Sequence, residues 1–367
     1  FFFTKVNHIT PYILAKTEFP HQHETPAFMS TDNPRTNNPV GILVTNLGTP
    51  SAPTPGAVRK YLAEFLWDRR VVDMPRFLWW PILHGVILRV RPRKSAQFYR
   101  NIWMREGSPL LVISKRQVWA LQATLDQQCA TPVRVVLGMR YGKPSLRGAL
   151  QRLQDDGVRR LLVLPLYPQY SASTTASTFD VIAEGLKTWR WTPTLRFING
   201  YHDHDGYIEA LCQSIHLAWT EHSAPDRLLF SFHGLPKRYI ESGDPYHRQC
   251  RETARRVAEE LHLTEEKWDI SFQSRVGREE WLTPHTDELL REWGSAGIKD
   301  IQVICPGFSA DCLETLEEIE MRAREIFISK GGKGFHYIPG LNDRPEHIKA
   351  LIDLIRSHAR DWLSDDE

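Results

Sequence analysis

A single histidine stands at the end of a strongly apolar run in the second half of the chain. His233 follows Leu228–Phe232 directly, and such a run predicts a strand that is buried on both faces of a parallel sheet. An imidazole at the end of such a strand can act as a base near neutral pH or as a metal ligand. It can equally be a structural histidine that hydrogen-bonds a loop carbonyl, so both interpretations stay open.

Three carboxylates stand at helical spacing further along the chain. Asp311, Glu314 and Glu318 are related as i, i+3 and i+7, and on an α-helix they share one face with Arg322 and Glu325. Carboxylate oxygens near an imidazole suit a divalent cation that passes through rather than stays. The spacing of Asp311 and Glu314 also fits a capping box, in which the two side chains only start a helix. Both alternatives stay open.

Basic and aromatic side chains in predicted loops could hold a flat, anionic ligand. Tyr99-Arg100 and Arg140-Tyr141 combine an aromatic ring with a guanidinium, which binds carboxylates through paired hydrogen bonds. The hydroxyl-rich stretch 171–178 can bind anionic groups or cap a helix. The alternatives are salt bridges for the arginines and, for three aromatic residues that could stack on a ligand, ordinary core packing; these are Tyr246, Trp281 and Phe308.

The elements that must position these residues are short apolar runs separated by helical patterns. Four runs precede Gly200 and four follow it, which indicates two Rossmann-like, doubly wound α/β domains with a cleft between them. Each domain is expected to hold a four-stranded parallel sheet, with ligands at the carboxyl ends of its strands. The predicted strands are Val40–Asn46, Val133–Gly138, Leu161–Leu166, Leu195–Ile198, Leu228–Phe232, Trp268–Phe272, Ile301–Cys305 and Phe335–Ile338.

The two ends of the chain carry weaker signals. Residues 1–39 lack sustained periodicity and are expected to form a disordered N-terminal extension. We hypothesise that Met29 is the native start, because it stands shortly before the first predicted strand. The last predicted helix, Pro345–Trp362, could fold back on either domain.

Composition excludes several classes of protein. The chain has 367 residues, of which 41% are hydrophobic and 25% charged, as in a globular protein large enough for two domains. Its net charge of +2 gives no general attraction to nucleic acid. The five cysteines form no CxxC pair, which argues against a zinc ribbon. Phosphate-binding GxGxxG and GxxxxGK[ST] loops are missing, which disfavours dinucleotide and ATP enzymes.

One apolar segment could touch a membrane without crossing it. Phe77–Leu88 is too short to span a bilayer and contains Pro81 and His84. The basic residues Arg89, Arg91, Arg93 and Lys94 follow at once, as in segments that lie in a membrane interface. A buried helix with a solvated basic end is the alternative.

Taken together, these strings resemble the ferrochelatases, which insert Fe²⁺ into a porphyrin at the end of haem synthesis. The resemblance extends from about Val40 to Trp362. Its motifs are Asn46-Leu-Gly-Thr-Pro50, Tyr99-Arg100 with Gly107-Ser-Pro109, Gly138-Met-Arg-Tyr141, Leu166-Tyr-Pro-Gln-Tyr-Ser171, Ser231-Phe-His-Gly-Leu-Pro236, Gly243-Asp-Pro-Tyr246 and Asp311-Cys-Leu-Glu-Thr315.

The resemblance implies a role for each candidate residue. His233 matches the essential histidine and Glu314 the facing carboxylate, both as catalytic residues and as metal contacts, while Glu318 and Asp311 match a proton or metal relay. The segment Met74–Arg93 matches the apolar lip of the cleft, with Trp79 and Trp80 as its membrane-facing residues. The porphyrin-side positions are Leu47, Arg100, Arg140, Tyr167, Ser171, Tyr246, Trp281 and Phe308.

The resemblance also implies the domain limits. Residues 40–200 with 342–363 are expected to form the N-terminal domain, since the last helix returns to it. Residues 201–341 are expected to form the C-terminal domain, which carries His233 and Glu314.

The implied reaction is insertion of Fe²⁺ into protoporphyrin IX through porphyrin distortion and proton abstraction. Fe²⁺ is then a substrate, and no tightly bound cofactor is expected. Animal members hold a [2Fe–2S] cluster on four cysteines, whereas here Ala172 takes the internal position and Cys312 is the last cysteine. A cytoplasmic protein with peripheral membrane contact is expected; the oligomeric state stays open. A cobaltochelatase-type enzyme and a non-catalytic haem or porphyrin carrier are the alternatives.

Overall fold

Eight strands form two four-stranded parallel sheets in the computed structural model, which describes residues 38–277 and 279–363. The strands are β1 (Val40–Thr49), β2 (Val133–Gly142), β3 (Arg160–Pro165), β4 (Thr194–Phe197), β5 (Arg227–His233), β6 (Trp268–Gln273), β7 (Asp300–Ile304) and β8 (Gly334–Ile338). The first sheet has the order β2-β1-β3-β4 and the second β6-β5-β7-β8. All eight predicted strands and the two-sheet α/β architecture are confirmed.

Helices connect consecutive strands and cover both faces of each sheet, as parallel pairing requires. The α-helices are α1 (Pro55–Leu66), α2 (Arg76–Ile82), α3 (Leu88–Ile102), α4 (Pro109–Gln128), α5 (Leu146–Asp155), α6 (Ser177–Leu186), α7 (Asp205–His222), α8 (Lys237–Glu241), α9 (Tyr246–Glu260), α10 (Thr286–Ser295), α11 (Arg324–Ser329) and α12 (Pro345–Ala359). A 3₁₀ turn spans Glu265–Lys267.

Three segments are π-helical, namely Leu83–Ile87, Ala172–Ala176 and Glu314–Ala323. The last has ten residues and carries the predicted carboxylates Glu314 and Glu318, and we call it the acidic π-helix. π-Helices hydrogen-bond from i to i+5 and are usually single turns at functional sites. We predicted that this segment is an α-helix, in which residues three or four positions apart share a face. That prediction is wrong, because in the π-helix side chains five positions apart meet.

One hydrophobic core runs without interruption between the two halves. It joins Ile42 and Leu164 of the first sheet to Phe230 of the second through the buried faces of α7, α9 and α12. The other faces of the sheets have separate cores, under α5 and α6 for the first sheet and under α10 and α11 for the second. Strands buried on both faces explain the apolar runs without alternation.

The last helix bridges the halves. α12 packs on α7, α4 and β3, and Arg160 Nη1 donates to the Trp362 carbonyl at 3.1 Å. The described residues belong to one compact unit, so the domain limits 40–200 with 342–363 and 201–341 stay predictions. The predicted extension 1–39 and the proposed start Met29 fall almost wholly on residues 1–37, outside the described residues.

The apolar lip is a helical segment with one buried and one exposed surface. Trp79 is 7% exposed, and its Nε1 donates to the Leu66 carbonyl at 2.8 Å. Our prediction that Trp79 faces a membrane is therefore wrong, because this indole packs inside the lip. Trp80 is 57% exposed, and Phe77 is 78% exposed. None of the described helices combines the length and the apolarity that crossing a bilayer requires.

Candidate active site

His233 is the last residue of β5, where the chain turns sharply. Its Nδ1 lies 2.7 Å from the Gly234 carbonyl oxygen. Because a carbonyl can only accept, Nδ1 carries the hydrogen and the neutral ring keeps its lone pair on Nε2. The structural alternative expected His233 to hydrogen-bond a loop carbonyl, and this bond is present. The same bond orients the imidazole, so that Nε2 can act as a base or a ligand.

Gly234 must be glycine because the backbone of β6 and an aromatic ring press on it. An added Cβ would lie 2.8 Å from the Gln273 carbonyl oxygen and 3.2 Å from Cε3 of Trp281. Trp281 is held in turn by a bond of 3.0 Å from Nε1 to the Val276 carbonyl. Burial raises the pKa of Tyr246 well above its usual value, and the nearby backbone of His233 acts in the opposite direction. The structure therefore brings Trp281 and Tyr246 against the loop of His233.

Glu314 begins the acidic π-helix and faces elements of the first half. Burial raises the pKa of Tyr99 and of Cys312 well above their usual values, and the Glu314 carboxylate is the next cause for both. Buried Tyr61 has a raised pKa from burial, then from Tyr99 and Glu314. Tyr61 and Tyr99 lie on α1 and α3, so this carboxylate stands at the junction of the two halves, among protonated phenols.

Glu318 is held at the end of β6. The Ser274 amide and hydroxyl donate to its carboxylate at 2.8 and 2.6 Å. Ser274 has a φ of 67°, a left-handed conformation that is uncommon outside glycine and often marks functional sites. Arg322 Nη2 lies 3.8 Å from the same carboxylate. Both Glu318 and Glu314 therefore adjoin the strand that pairs with His233.

Asp311 is fastened on all sides. Its Oδ1 accepts from the Tyr337 hydroxyl at 2.6 Å and from Thr315 Oγ1 at 3.0 Å, and its Oδ2 accepts from Asn342 Nδ2 at 2.7 Å. These donors are not the amide of Glu314, so the capping-box alternative is wrong. The relay role of Asp311 stays a prediction. Both oxygens of this carboxylate already accept hydrogen bonds from other side chains.

The first-half arginines differ from expectation. Tyr99-Arg100 lies within α3 and Arg140-Tyr141 within β2, so both loop predictions are wrong. Arg140 forms an ion pair with Asp68, and the two side chains are only 13% and 7% exposed. The alternative of a salt bridge therefore holds for Arg140, and its contact with a porphyrin stays a prediction. Arg100 is exposed, with Nη1 3.5 Å from the Pro53 carbonyl.

The remaining porphyrin-side residues lie at or just after the carboxyl ends of strands. Ser171 Oγ and the Ala172 amide donate to Asp244 Oδ2 at 3.0 and 2.7 Å, which ties the loop after β3 to the loop before α9. Tyr167 is buried, and burial raises its pKa above the usual value. Phe308 packs beside Cys312 in a cluster with residues of α4. Leu47 lies near the end of β1 and is half-buried.

The carboxyl ends of the two sheets meet through side-chain bonds. Ser309 Oγ, after β7, donates to the Leu166 carbonyl, after β3, at 2.9 Å. Gln169 Nε2 donates to Thr253 Oγ1 of α9 at 2.9 Å. Through these bonds, loops at the carboxyl ends of the two sheets contact each other, and we call this contact region the seam. The candidate residues of both sheets follow strands that end there, as we expected.

Sequence reasoning missed several residues of this region. Asp68 binds Arg140, Ser274 binds Glu318, and Gln273 binds the first residue of the π-helix. None of these three residues belongs to a spacing pattern in the sequence that would predict its role. Asp244 stands in the motif Gly243-Asp-Pro-Tyr246, and a Gly-Asp-Pro string is typical of a turn in which the carboxylate bonds nearby backbone amides.

The described residues contain no cluster of three or more His, Cys, Asp or Glu side chains that could hold a metal ion. The joint contact of His233 and Glu314 with a passing metal stays a prediction. All five cysteines are buried and stand outside disulfide bonds. The expectation that the chain holds no iron–sulfur cluster stays a prediction.

Relatives in sequence extend over nearly the whole described chain. A family model described as Ferrochelatase matches residues 39–359. A protein named Ferrochelatase from Nitrosococcus oceani is 56% identical over 327 residues, which is 89% of each chain. One of the same name from Pectobacterium atrosepticum is 55% identical over 315 residues, covering 86% of this chain and 97% of that one.

Solved structures with the same fold are much more distant in sequence. SirB from Bacillus subtilis with Fe³⁺ superposes with a TM-score of 0.52 at 12% identity, covering 88% of this chain and 97% of that one. The sirohydrochlorin chelatase SirB from B. subtilis subspecies spizizenii in complex with cobalt gives a TM-score of 0.53 at 10% identity, with the same coverage. This likeness shows the fold of two Rossmann-like halves.

The sequence matches decide between the enzyme classes considered above. The family model covers His233, Glu314 and every other candidate residue, and the relatives described above carry the name Ferrochelatase. With the family model matching 39–359 and relatives above 50% identity, this chain belongs to the ferrochelatase family of metal chelatases, enzymes of haem biosynthesis.

Proposed function

We propose that this chelatase inserts Fe²⁺ into protoporphyrin IX and releases protohaem. Both Fe²⁺ and the porphyrin are substrates, and no tightly bound cofactor takes part. The family supports the reaction class, and Leu47, where some relatives have a tyrosine implicated in metal contact, supports protoporphyrin over coproporphyrin. The observation that supports the mechanism is the hydrogen bond of 2.7 Å from His233 Nδ1 to the Gly234 carbonyl. With the hydrogen on Nδ1, the neutral ring has a free lone pair on Nε2 that can accept a proton.

Insertion releases two pyrrole protons as four nitrogen–metal bonds form. We assign the first proton to Nε2 of His233, which becomes an imidazolium, and the second to the carboxylate of Glu314. Glu318 and Asp311 continue the path by which protons leave and Fe²⁺ arrives. Zn²⁺ binds nitrogen ligands more tightly than Fe²⁺, so it is expected to be inserted as well.

Distortion of the porphyrin lowers the barrier. In a flat macrocycle the N–H protons obstruct the entering metal, whereas a saddled ring exposes the nitrogen lone pairs. A cleft that fits the saddled ring stabilises the transition state more than the substrate. Trp281 and Tyr246, next to the His233 loop, are the aromatic walls we assign to this task, with Arg100 on the propionate side.

The lip is proposed to dock on the cytoplasmic face of a membrane, from which the poorly soluble porphyrin enters. Its exposed apolar residues are Phe77, Leu78, Trp80, Ile82, Val86 and Val90, and we call them the apolar stripe. The exposed bases Arg89, Arg91, Arg93 and Lys94 follow on the same segment, and each contributes about 1 kcal/mol near an anionic surface. The association is peripheral and reversible.

The test replaces the two proton acceptors. His233→Ala and Glu314→Gln are expected to lower metal insertion at least ~100-fold, the usual contribution of general acid–base catalysis, while Glu314→Asp retains part of the activity. Insertion of Fe²⁺ or Zn²⁺ is followed under anaerobic conditions by porphyrin absorbance, and porphyrin affinity by fluorescence quenching.

The matched control is His358→Ala, because the Nδ1 of His358 also bonds a backbone carbonyl, that of Leu354, at 2.9 Å but lies on α12. This variant should turn over like the parent protein. Parent-like turnover in His233→Ala would refute the proposed mechanism. If Glu314→Gln equals the parent, Glu314 only shapes the acidic π-helix.

A further inference from the structure

A buried glutamine connects the strand of His233 to the helix of Glu314. Gln273 is the last residue of β6 and is 3% exposed. In the parallel register it pairs with His233 itself, and its carbonyl accepts from the Gly234 amide at 2.8 Å. The backbone of Gln273 therefore fixes the turn whose carbonyl orients the imidazole.

The side chain of the same residue reaches the acidic π-helix. Its Nε2 donates to the carbonyl of Glu314 at 2.8 Å. Its Oε1 accepts from Ser231 Oγ of β5 at 2.8 Å and from Sγ of Cys305, the residue after β7, at 3.7 Å. One side chain of β6 thus links β5 and the residue after β7 to the first residue of the π-helix.

Only an amide can make this set of bonds at this size. The Ser231 hydroxyl donates to the oxygen, which turns the nitrogen toward the Glu314 carbonyl. A glutamate could accept from Ser231 but could not donate to Glu314, and a methionine would do neither. The bond to Ser231 is buried and the bond to Glu314 is partly buried, so water replaces their loss only incompletely.

We propose that Gln273 is a positioning residue that sets the distance between Nε2 of His233 and the carboxylate of Glu314. This inference rests on the roles proposed above for those two residues. Gln273 touches neither substrate; it acts by holding both proton acceptors against one strand end. Its loss should reduce the chemical step and leave porphyrin binding nearly unchanged.

The test compares two buried glutamines of the same sheet. Gln302 on β7 is fully buried, and its Nε2 donates to the Ser223 carbonyl at 2.9 Å. Ser223 precedes β5, so this bond lies toward the amino ends of the strands, away from His233. Gln273→Met and Gln302→Met each remove one buried amide of similar size. We expect kcat for Zn²⁺ insertion to fall about 10- to 100-fold in Gln273→Met, as for small misplacements of catalytic groups, and to stay within about 2-fold in Gln302→Met.

The KM for porphyrin and the porphyrin affinity should change little in both variants, and thermal unfolding checks that both are folded to the same extent. Ser231→Ala, which removes the shorter of the two bonds to the amide oxygen, should lower kcat less. Combined with Gln273→Met it should cause no further loss, because the two residues act through one contact.

Equal kcat in Gln273→Met and Gln302→Met at equal stability would overturn the inference, and so would additive losses in the double variant. His233→Ala and Glu314→Gln are assayed alongside. If those two are inactive while Gln273→Met is fully active, only the positioning role fails; if those two retain turnover, the proposed function itself fails.

Discussion

Single side chains in this site are held by partners that lie far away in the chain. Asp68 is the clearest case, because its Oδ2 accepts from the Tyr141 hydroxyl at 2.7 Å and from Ser177 Oγ at 2.5 Å and pairs with Arg140. The carboxylate thereby joins the segment after α1 to the ends of β2 and to α6. At the residue scale, the joining of these three elements depends on this one buried negative charge.

Replacement of that charge should destabilise the fold. Burial alone would raise the pKa of Asp68, but the bonds from Ser177, Tyr141 and the Arg70 amide, with the charge of Arg140, lower it below the usual value. We expect Asp68→Asn to lower the free energy of unfolding by about 3 kcal/mol, because Arg140 is left buried without its counter-ion. Chemical denaturation at neutral pH measures this.

The same carboxylate predicts a pH dependence with a definite sign. A lowered pKa stabilises the fold above the unfolded value of about 4, and the contribution is lost as pH falls through the folded pKa. Asp68→Asn should therefore flatten the acid limb of the stability curve. Asp180→Asn is the control, since the Arg70–Asp180 pair is nearly half exposed and is worth about 1 kcal/mol or less. Equal losses in the two variants would contradict the assignment.

The acidic π-helix is the element that decides how the carboxylates are presented. Arg322 Nε donates to Glu317 Oε2 at 2.8 Å, a pair at i and i+5 that lies one π-turn apart. On an α-helix these side chains would point in different directions. Glu317 is 4% exposed, so the ion pair favours the π-helical over the α-helical form of this segment.

Removal of Arg322 should weaken this element specifically. Burial raises the pKa of Glu317, against the opposing charge of Arg322. Arg322→Met is expected to lower the free energy of unfolding by about 2 kcal/mol and to reduce metal insertion. It leaves the buried Glu317 carboxylate unpaired, but Arg322 itself is 48% exposed, so solvent screens the pair in part. The control is Arg255→Met on α9, whose pairs at i+4 and i−3 are exposed and are worth about 0.5 kcal/mol each. A loss no larger than that of the control would contradict the role of the pair.

At the scale of the molecule, two sheets of the same topology meet at their carboxyl ends, and the lip projects from the first half. The strand orders β2-β1-β3-β4 and β6-β5-β7-β8 are equivalent, although the chain shows no repeat by sequence identity. This arrangement brings loops of both sheets to one seam, and it leaves the apolar stripe in solvent.

Vesicle binding tests the proposed docking of the lip. Phe77→Ser with Trp80→Ser removes exposed apolar surface worth about 25 cal/mol per Å², and should lower cosedimentation with anionic phosphatidylglycerol vesicles about 10-fold or more. Trp119→Ser on α4 is the control, since Trp119 is 73% exposed outside the lip. Binding should weaken at high salt. A double variant that binds like Trp119→Ser would show that the stripe does not face the membrane.

The sequence by itself determined the two parallel sheets, the eight strands and the identity of the residues at their ends. Apolar runs buried on both faces leave little choice of element, and the motif strings around His233 and Glu314 are specific enough to indicate a chelatase family. The position of His233 at a strand end was therefore predicted from the chain alone, whereas the porphyrin-side roles of Ser171 and Tyr246 stay predictions.

Only the tertiary structure decided which polar groups meet. Trp79 lies inside the lip while Trp80 lies outside, because neighbouring residues of one helix face different surroundings and local composition is the same for both. The pairing of Arg140 with Asp68 joins residues 72 positions apart, and the two bonds of Gln273 span 42 and 41 positions. Such contacts are set by how strands and helices pack within each half, and no local spacing encodes them.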